Sequence, residues 1–332
     1  LIFSAPFRPM QNKTQVFPLP GSVFVHNRLT HSLEVSSVGR SLGTDVAREL
    51  IRRRPALADT SLADIGAIVS AACLAHDMGN PPFGHSGERA IRSFFAEGAG
   101  SSLRTYTTAD GQRLSDAEWA DLTSFDGNAN TLRLLTHRFN GRREGGFVMT
   151  YSTLAAVVKY PYTATTTPKE GQFGFFQSER DTYLRIAGAL GIPCTLTPDG
   201  VTAVRHPLVY LVEAADDICY EVMDIEDAYK LRLLSADEAL GLYLAFFSPD
   251  ERRRLSAAYP ETTSPGDRVA YCRSCVINAL ERAAVNVFVE NEEAILAGTF
   301  TGSLIDHMPE PLLSAYRHCE RVAYARIYNS RE

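Results

Sequence analysis

The feature that most constrains this chain is residues 76–88, HDMGNPPFGHSGE, where two histidines and two carboxylates flank a double proline. Apolar residues precede this segment at helical spacing, and His76 takes the next inward position on their stripe. These apolar residues are Ile65, Ile68, Val69 and Ala72. Pro81 and Pro82 must end the helix. An apolar helix therefore ends by placing an imidazole, with Asp77 beside it, in the protein interior.

A second helix is predicted to begin after this break, with His85 and Glu88 on one face near its N-terminus. A lone buried histidine at a helix end is typical of a hydrogen-bonded core residue. The adjacent pair His76 and Asp77, however, requires costly desolvation of a carboxylate unless a cation or a donor compensates. The segment is therefore interpreted as part of a site, and further ligands are expected elsewhere in the chain.

Two other predicted helices supply such ligands. His31 lies near the start of a helix predicted to begin at Leu29. Asp216 borders the apolar stripe of a helix predicted over residues 207–232, and Tyr220 and Asp224 follow it at steps of four. These three side chains are therefore expected to line one edge of that helix, as the floor of a cavity would require.

We choose Asp216 rather than Asp217 as the ligand, because Asp217 is rotated by about 100° around the helix. The complete set then consists of four nitrogen and oxygen ligands on three helices: His31, His76, Asp77 and Asp216. Such a set suits Mn, Mg, Fe, Co, Ni or Zn. Four protein ligands leave open positions on an octahedral ion for water and a phosphate oxygen, as metal-assisted hydrolysis requires.

The composition of the 332 residues, 45% hydrophobic and 22% charged, is that of a soluble globular protein with a large core. The formal charge of −6 does not indicate a surface that binds nucleic acid over the whole protein. The arginine clusters at 52–54 and 252–254 are interpreted as solvated helix faces. No apolar window reaches the length of a membrane span, and no secretory signal is visible. Six cysteines without a regular framework indicate reduced thiols and a cytoplasmic location.

The hydrophobic periodicity predicts an all-α (mainly α) fold, treated as one domain over residues 1–332. Small β-hairpins are predicted at residues 104–114 and around Pro198-Asp199-Gly200. Residues 1–28 are expected to be irregular or extended, and residues 163–180 a long functional or mobile loop. The rest of the chain is predicted to be a helical series over residues 236–244, 249–258, 265–287, 290–297 and 311–328.

The pattern H…HD…D on helices resembles that of the HD-domain phosphohydrolases, and longer segments resemble their deoxyguanosinetriphosphate triphosphohydrolase (dGTPase) branch. These segments are 13–18 (KTQVFP), 27–35 (NRLTHSLEV), 76–88, 125–129 (FDGNA), 159–161 (KYP), 173–176 (FGFF) and 213–218 (EAADDI). The resemblance implies a metal and nucleotide core at about residues 8–235, followed by a C-terminal helical part at 236–332. Because family members extend beyond both ends and Leu1 is not Met, the chain is expected to begin inside a longer protein.

The resemblance implies metal-dependent hydrolysis of a deoxynucleoside triphosphate (dNTP), with dGTP preferred, to deoxynucleoside and inorganic triphosphate, which controls dNTP pools. One divalent ion is expected on His31, His76, Asp77 and Asp216, with Mn or Mg first and Co, Ni, Fe or Zn as alternatives. His85 occupies the position of the family's catalytic histidine and is assigned as the acid that protonates the 5′-oxygen, with Glu88 holding its other nitrogen. The reverse assignment, in which the pair activates water, stays open.

The resemblance also implies a substrate-binding set: Gln15, Arg28, Asn80, Lys159, Tyr160, Tyr220 and Asp224. Arg28 suits bidentate binding of a phosphate, and Gln15 matches the residue that reads the sugar 3′-hydroxyl. Lys159 and Tyr160 match the triphosphate- and sugar-side pair. Tyr220 is expected against C2′ of the sugar, where a ribose hydroxyl would clash, and Asp224 is expected near the same sugar.

Two other functions are kept as alternatives. Another HD phosphohydrolase, such as a nucleoside monophosphate phosphatase, would release orthophosphate instead of triphosphate. A nucleotide-sensing or single-stranded DNA-binding oligomer would hydrolyse nucleotides only as a secondary activity. The resemblance further implies a homo-oligomer, for example a hexamer, with single-stranded DNA as an effector and no membrane partner.

Overall fold

The computed structural model describes residues 1–15, 26–138, 144–169, 171–258 and 263–328. Residues 16–25, which include the end of the first family-like segment and part of the stretch 1–28 that was expected to be irregular or extended, lie outside the described residues. Within the described ranges, no helix combines the length and the apolar character that a membrane span requires.

The described chain is mainly helical, as the periodicity predicts. Its α-helices are α1 (Arg28–Arg53), α2 (Ile65–Ala75), α3 (Gly84–Ala96), α4 (Asp116–Thr123), α5 (Gly127–Thr136), α6 (Tyr151–Val157), α7 (Arg180–Leu190), α8 (Val209–Lys230), α9 (Ala236–Leu244), α10 (Pro249–Ala257), α11 (Pro265–Glu290), α12 (Glu292–Ala297) and α13 (Glu310–Ala323). Short 3₁₀-helices connect several of them, and a π-helical turn, Tyr324–Tyr328, follows α13. The division into a core and a C-terminal part stays a prediction.

One of the two predicted hairpins is confirmed. Strands β1 (Cys194–Thr197) and β2 (Gly200–Ala203) pair antiparallel, with Thr197 opposite Gly200 across the predicted turn. The other prediction is wrong, because residues 104–114, all of which are described, form no strand. They hold only a tight turn, closed by a 2.9 Å hydrogen bond from Thr108 N–H to the Gln112 carbonyl. Residues 101–113 are exposed on both faces, and an isolated hairpin without an apolar face is marginal in water.

Several helix boundaries follow from capping signals in the sequence. The predicted starts of α9, α10 and α11 are confirmed, and serine caps each of them: Ser235, Ser248 and Ser264. The helix predicted to lead through Ile65 and Ala72 to His76 is α2, which has His76 as its C-cap. A 3₁₀-helix, Ser61–Asp64, precedes it. Helices α6 and α7 were not predicted. Residues 163–169 and 171–176 are irregular, as expected, but Phe173 and Phe175 are fully buried, so this loop is anchored in the core.

The core forms where α1 packs against α2, α8 and α11. Helix α1 contributes a buried apolar stripe, which consists of Val35, Val38, Leu42 and Val46. Glycines lie where α1 crosses α2: a Cβ added at Gly43 would lie 2.9 Å from the Cα of Gly66. The two backbones therefore approach closely, which brings the N-terminal turn of α1 towards the C-terminal end of α2.

A buried group of charges ties His26, which lies two residues before α1, to α8. His26 is 6% exposed. Its Nδ1 lies 2.8 Å from Asp227 Oδ2 and its Nε2 lies 3.0 Å from Glu34 Oε1. Burial alone would lower the pKa of His26, but the hydrogen bonds with Asp227 and Glu34 raise it to about 9. The imidazolium is therefore the form that the fold favours.

We predict that His26 contributes to stability in a pH-dependent way. Because its pKa in the folded protein is raised from 6.5 to about 9, its contribution is fully present below pH 6.5 and is lost as the pH rises through about 9. His26→Gln should lower the free energy of unfolding by on the order of 2 kcal/mol at about pH 6, and by much less at about pH 10. Urea unfolding of both proteins at the two pH values measures this difference.

The matched control is His318→Gln, since His318 is an exposed residue of α13. This control should change stability little at either pH. An equal loss in His26→Gln at both pH values would show that the imidazolium is not what stabilises the fold here.

Candidate active site

Three side chains from three different helices converge on one point: His31 from α1, His76 at the end of α2, and Asp216 from α8. Nε2 of His31 lies 2.9 Å from Oδ1 of Asp216, and Nε2 of His76 lies 3.4 Å from the same oxygen. The ligand atoms all lie within 4.8 Å of one another. The two imidazole rings are 5.6 Å apart and inclined at 62°. Two nitrogens and one oxygen therefore face a common centre.

The orientation of His76 indicates a ligand that is not part of the chain. Its Nδ1 lies 2.5 Å from the Cys73 carbonyl oxygen, which directs Nε2 towards Asp216. This Nε2 is buried and makes no hydrogen bond within the part of the chain that the structure describes. Backbone support of one ring nitrogen while the other is left open is the usual arrangement of a metal-ligating histidine. The imidazole and carboxylate donors therefore fit a divalent cation.

The electrostatics of this group follow from packing opposite charges together. Burial lowers the pKa of His76, but Asp77 and Asp216 outweigh it and raise the pKa to about 9. Burial likewise raises the pKa of Asp216, but His76 and His31 hold it well below its ordinary value. Asp216 is therefore ionised, as a ligand carboxylate must be.

Asp77, the fourth predicted ligand, lies beside this group but is held by other partners. Its Oδ1 is 3.6 Å from Nε2 of His76 and accepts a 2.5 Å hydrogen bond from Asn80 Nδ2. Its Oδ2 is paired with Nη1 of Arg28 at 2.5 Å. Burial alone would raise the pKa of Asp77, but Arg28 and His76 hold it below its ordinary value. Its role as a ligand stays a prediction.

The structure places Asp216, and not Asp217, against the two histidines. Asp217 instead faces a second cavity together with Tyr316 and Glu221. Burial raises the pKa of Asp217 to about 7, whereas the pKa of Asp216 is lowered. The 100° rotation between neighbouring helical positions thus separates two adjacent aspartates into different environments.

A cavity of about 630 Å³ opens next to the three converging side chains. All thirteen predicted site residues lie in the described ranges, and eleven of them line this cavity. The two exceptions are His31 and Asp224. His31 is 1% exposed and lies beneath the cavity floor, and Asp224 is 4% exposed and accepts a hydrogen bond from the Tyr328 hydroxyl. The approach of Asp224 to the sugar stays a prediction.

His85 and Glu88 form a pair at the edge of the cavity. Nδ1 of His85 lies 2.8 Å from Oε2 of Glu88, and the His85 side chain is 92% exposed. Glu88 is buried, and its Oε1 accepts a 2.8 Å hydrogen bond from Gly127 N–H. The hydrogen bond that His85 donates to the Glu88 carboxylate raises the pKa of His85. The carboxylate is therefore fixed in place, and the imidazole is left with Nε2 available for a ligand.

The segment FDGNA at residues 125–129 supports this pair. Asp126 caps α5 through a 2.8 Å hydrogen bond from Asn128 N–H, and its other oxygen accepts the Phe173 N–H at 3.0 Å. The next residue, Gly127, supplies the N–H that holds Glu88. One helix N-terminus therefore positions both the Glu88 carboxylate and the loop that contains Phe173.

Cationic and amide groups lie on the other walls of the cavity. Nζ of Lys159 lies 3.3 Å from Oε1 of Glu213 and 5.7 Å from the centre of the Tyr160 ring. Oε1 of Gln15 and Nε of Arg28 are buried and lack a hydrogen-bond partner among the described residues. These groups are therefore placed to bind a polar, negatively charged ligand.

Several cavity residues were not predicted: Asn128, Gln172, Glu213, Ile327 and Tyr328. Asn128 and Glu213 lie inside two of the family-like segments, so those segments already contained the signal. Ile327 and Tyr328 lie far beyond residue 218, where the last of these segments ends, and the sequence contains no comparable signal for them.

We predict that Asp216→Asn weakens Mn²⁺ binding by at least about a hundredfold, because the variant loses the anionic oxygen that faces both histidines. Asp217→Asn is the matched control, since it makes the same change at the adjacent position and should bind Mn²⁺ like the unsubstituted protein. Isothermal titration calorimetry measures both affinities, and circular dichroism checks that each variant is folded. Equal weakening in the two variants would contradict this assignment of the centre.

Comparison with known proteins identifies the family. No protein-family model matches the chain. A deoxyguanosinetriphosphate triphosphohydrolase-like protein of Pseudomonas aeruginosa is 40% identical over 338 residues, covering 100% of this chain and 73% of that protein. A deoxyguanosinetriphosphate triphosphohydrolase-like protein of Synechocystis is 38% identical over 318 residues, covering 92% of this chain and 68% of that protein. The deoxyguanosinetriphosphate triphosphohydrolase of Klebsiella pneumoniae is 32% identical over 374 residues, covering 99% of this chain and 70% of that protein. The resemblance found in the sequence is thereby confirmed, and the chain belongs to the deoxyguanosinetriphosphate triphosphohydrolase family.

Proposed function

We propose that this protein hydrolyses deoxynucleoside triphosphates, with dGTP preferred, to deoxynucleoside and inorganic triphosphate in a metal-dependent reaction. The observation that carries this proposal is the convergence of His31, His76 and Asp216 beside a cavity that also contains Arg28 and His85. The names of the related proteins support the same reaction class. Control of cellular dNTP pools is the role that such an activity would serve.

A divalent cation, Mn²⁺ or Mg²⁺ first, is expected on the two histidines and Asp216, with Asp77 as a further ligand. When bound, such an ion supplies a Lewis acid that polarises a phosphate oxygen and orients water. Arg28 holds Oδ2 of Asp77 and Asn80 holds Oδ1, so the carboxylate is fixed beside the three converging side chains.

The triphosphate requires positive charge, which the cavity walls supply. Arg28 pairs with Asp77 through Nη1, while its buried Nε lacks a partner among the described residues and is free to donate to a phosphate oxygen. Glu213 raises the pKa of Lys159 against the effect of burial. Lys159 therefore stays cationic and serves as a second phosphate ligand beside Tyr160.

His85 is assigned as the general acid for the departing 5′-oxygen. Because the hydrogen bond that His85 donates to Glu88 raises the pKa of His85, the imidazole keeps its proton to higher pH, as suits a general acid. Gly127 holds Glu88, so the carboxylate keeps Nδ1 engaged and leaves Nε2 to transfer the proton. The reverse assignment, with the pair activating water, uses the same contacts and stays open.

Tyr220 is assigned to the sugar. Its ring lies 6.4 Å from the His31 ring, nearly perpendicular at 82°, so it is adjacent to the converging ligands. A nucleotide with its α-phosphate at that point would bring its sugar against this ring, where a 2′-hydroxyl has no room. Gln15, whose buried Oε1 has no partner in the described chain, is available to accept a hydrogen bond from the 3′-hydroxyl.

Incubation of the purified protein with each dNTP and Mn²⁺ or Mg²⁺, followed by chromatography of the products, tests the proposal. We expect equimolar deoxynucleoside and triphosphate, and no turnover in EDTA or in Asp216→Asn. Orthophosphate released from a nucleoside monophosphate instead would favour the phosphatase alternative. The homo-oligomer and the single-stranded DNA effector stay predictions from the resemblance.

We further predict that His85→Ala lowers kcat by roughly two to four powers of ten, because the leaving group loses its proton donor. Mn²⁺ affinity should not change, since His85 is not among the converging ligands. His318→Ala on α13 is the matched control and should keep full activity. Steady-state kinetics and titration calorimetry on the three proteins measure both quantities, and an unchanged kcat would remove His85 from the mechanism.

A further inference from the structure

Arg92 of α3 connects three segments of the chain beside the pair of His85 and Glu88. Its Nε donates a 2.7 Å hydrogen bond to the Phe125 carbonyl oxygen, and its Nη2 donates one of 3.1 Å to the Gly171 carbonyl oxygen. The same Nη2 lies 3.6 Å from Oε2 of Glu88, one turn earlier on α3. One guanidinium group therefore joins α3 to the residue before the cap of α5 and to the loop that contains Gly171.

The contact with this loop requires a glycine. Gly171 has a φ of +70°, and a Cβ added there would collide with the Arg92 guanidinium. Two residues later, the Phe173 N–H donates a 3.0 Å hydrogen bond to Oδ2 of Asp126. Gln172, between these two anchors, lines the cavity. Arg92 and Asp126 therefore hold the backbone on both sides of a cavity residue.

Arg92 also shares the Glu88 carboxylate with His85. Nδ1 of His85 lies 2.8 Å from Oε2 of Glu88, the same oxygen that Arg92 faces. Burial alone would raise the pKa of Glu88, but the hydrogen bonds from His85 and Gly127, with the charges of His85 and Arg92, hold it below its ordinary value. The carboxylate therefore interacts with two cations when His85 is protonated. Since like charges repel, Arg92 limits how far Glu88 can raise the pKa of His85.

The other charged groups near His85 lie on several elements. Arg28, on α1, lowers the pKa of His85, and Asp126, before α5, raises it. On α3 itself, Arg89 is exposed and donates a 2.9 Å hydrogen bond to Oγ of Ser86. Arg92 differs from these groups because it contacts the Glu88 carboxylate and the loop carbonyl at once.

We propose that Arg92 is a positioning residue of the active site, which holds the loop that presents Gln172 to the nucleotide and shares the Glu88 carboxylate with His85. Its effect on nucleotide binding rests on the proposed function, whereas its interaction with the His85–Glu88 pair is measurable without substrate. Hydrogen bonds to two carbonyl oxygens need the planar guanidinium, but the interaction with Glu88 needs only a positive charge. Substitutions by glutamine and by lysine therefore separate the two contacts.

Arg92→Gln tests the shared carboxylate. Loss of the positive charge should raise the pKa of His85 by roughly half a unit. The alkaline limb of the kcat profile should move to higher pH by the same amount, because the general acid keeps its proton longer. A nuclear magnetic resonance titration of the His85 ring without Mn²⁺ measures the pKa, and the spectrum of His85→Ala assigns the signal. An unchanged or lowered pKa of His85 would overturn the proposal.

Arg92→Lys tests the contact with the loop. Lysine keeps the charge but cannot donate to both carbonyl oxygens in the fixed geometry of a guanidinium. We expect KM for dGTP to rise by roughly three- to tenfold, the usual effect of one lost hydrogen bond. Both kcat and the pKa of His85 should stay close to their values in the unsubstituted protein. An unchanged KM would contradict the role of Arg92 in presenting Gln172.

Arg48→Gln and Arg48→Lys are the matched controls, because Arg48 is an exposed residue of α1 that pairs with Asp45. They should leave KM, the pH profile and the pKa of His85 unchanged, and circular dichroism checks that every variant is folded. A protein that hydrolyses no dNTP overturns the proposed function, and the expected effect on KM with it. The titration of His85 then decides separately whether Arg92 shares the Glu88 carboxylate.

Discussion

The contact between His31 and Asp216 is the interaction on which the rest of the site depends. It joins α1 to α8, and His76 reaches the same carboxylate oxygen from the end of α2. This arrangement requires α1 and α2 to cross closely, which the glycine pair Gly43 and Gly66 permits. A side chain at that crossing would push the helices apart and separate the two imidazoles, because helix interfaces in a close-packed core transmit such strain.

The sequence correctly predicted those features that depend on the periodicity of a single helix. Rotation around α8 separates Asp216 from Asp217, and the structure places only Asp216 against the histidines. The double proline after His76 predicted the break that directs His76 inwards, and helix α3 does begin just beyond it, at Gly84. Serine caps likewise marked the starts of α9, α10 and α11. All these signals come from residues that are close together in the chain, so they can be identified from a single sequence.

The sequence did not predict contacts between distant elements. Helical spacing put Asp224 on the same edge as Tyr220, but its acceptor atom is taken by Tyr328, 104 residues away. Asp77 follows His76 directly, yet much of its bonding goes to Arg28 at the start of α1. The hairpin predicted at 104–114 has a suitable turn sequence. Its residues are exposed, however, and offer no apolar face that could pack against the core. Each of these outcomes depends on tertiary packing that periodicity does not encode.

Tyr220 and Tyr328, which meet at one wall of the cavity, come from segments made at very different times during synthesis. All three converging side chains have been added to the chain once residue 216 is translated, whereas Tyr328 is added more than a hundred residues later. The three converging side chains and this wall of the cavity are therefore encoded in well-separated parts of the gene. A sequence change confined to the segment around residue 328 would therefore reshape one wall of the cavity while His31, His76 and Asp216 stay in place.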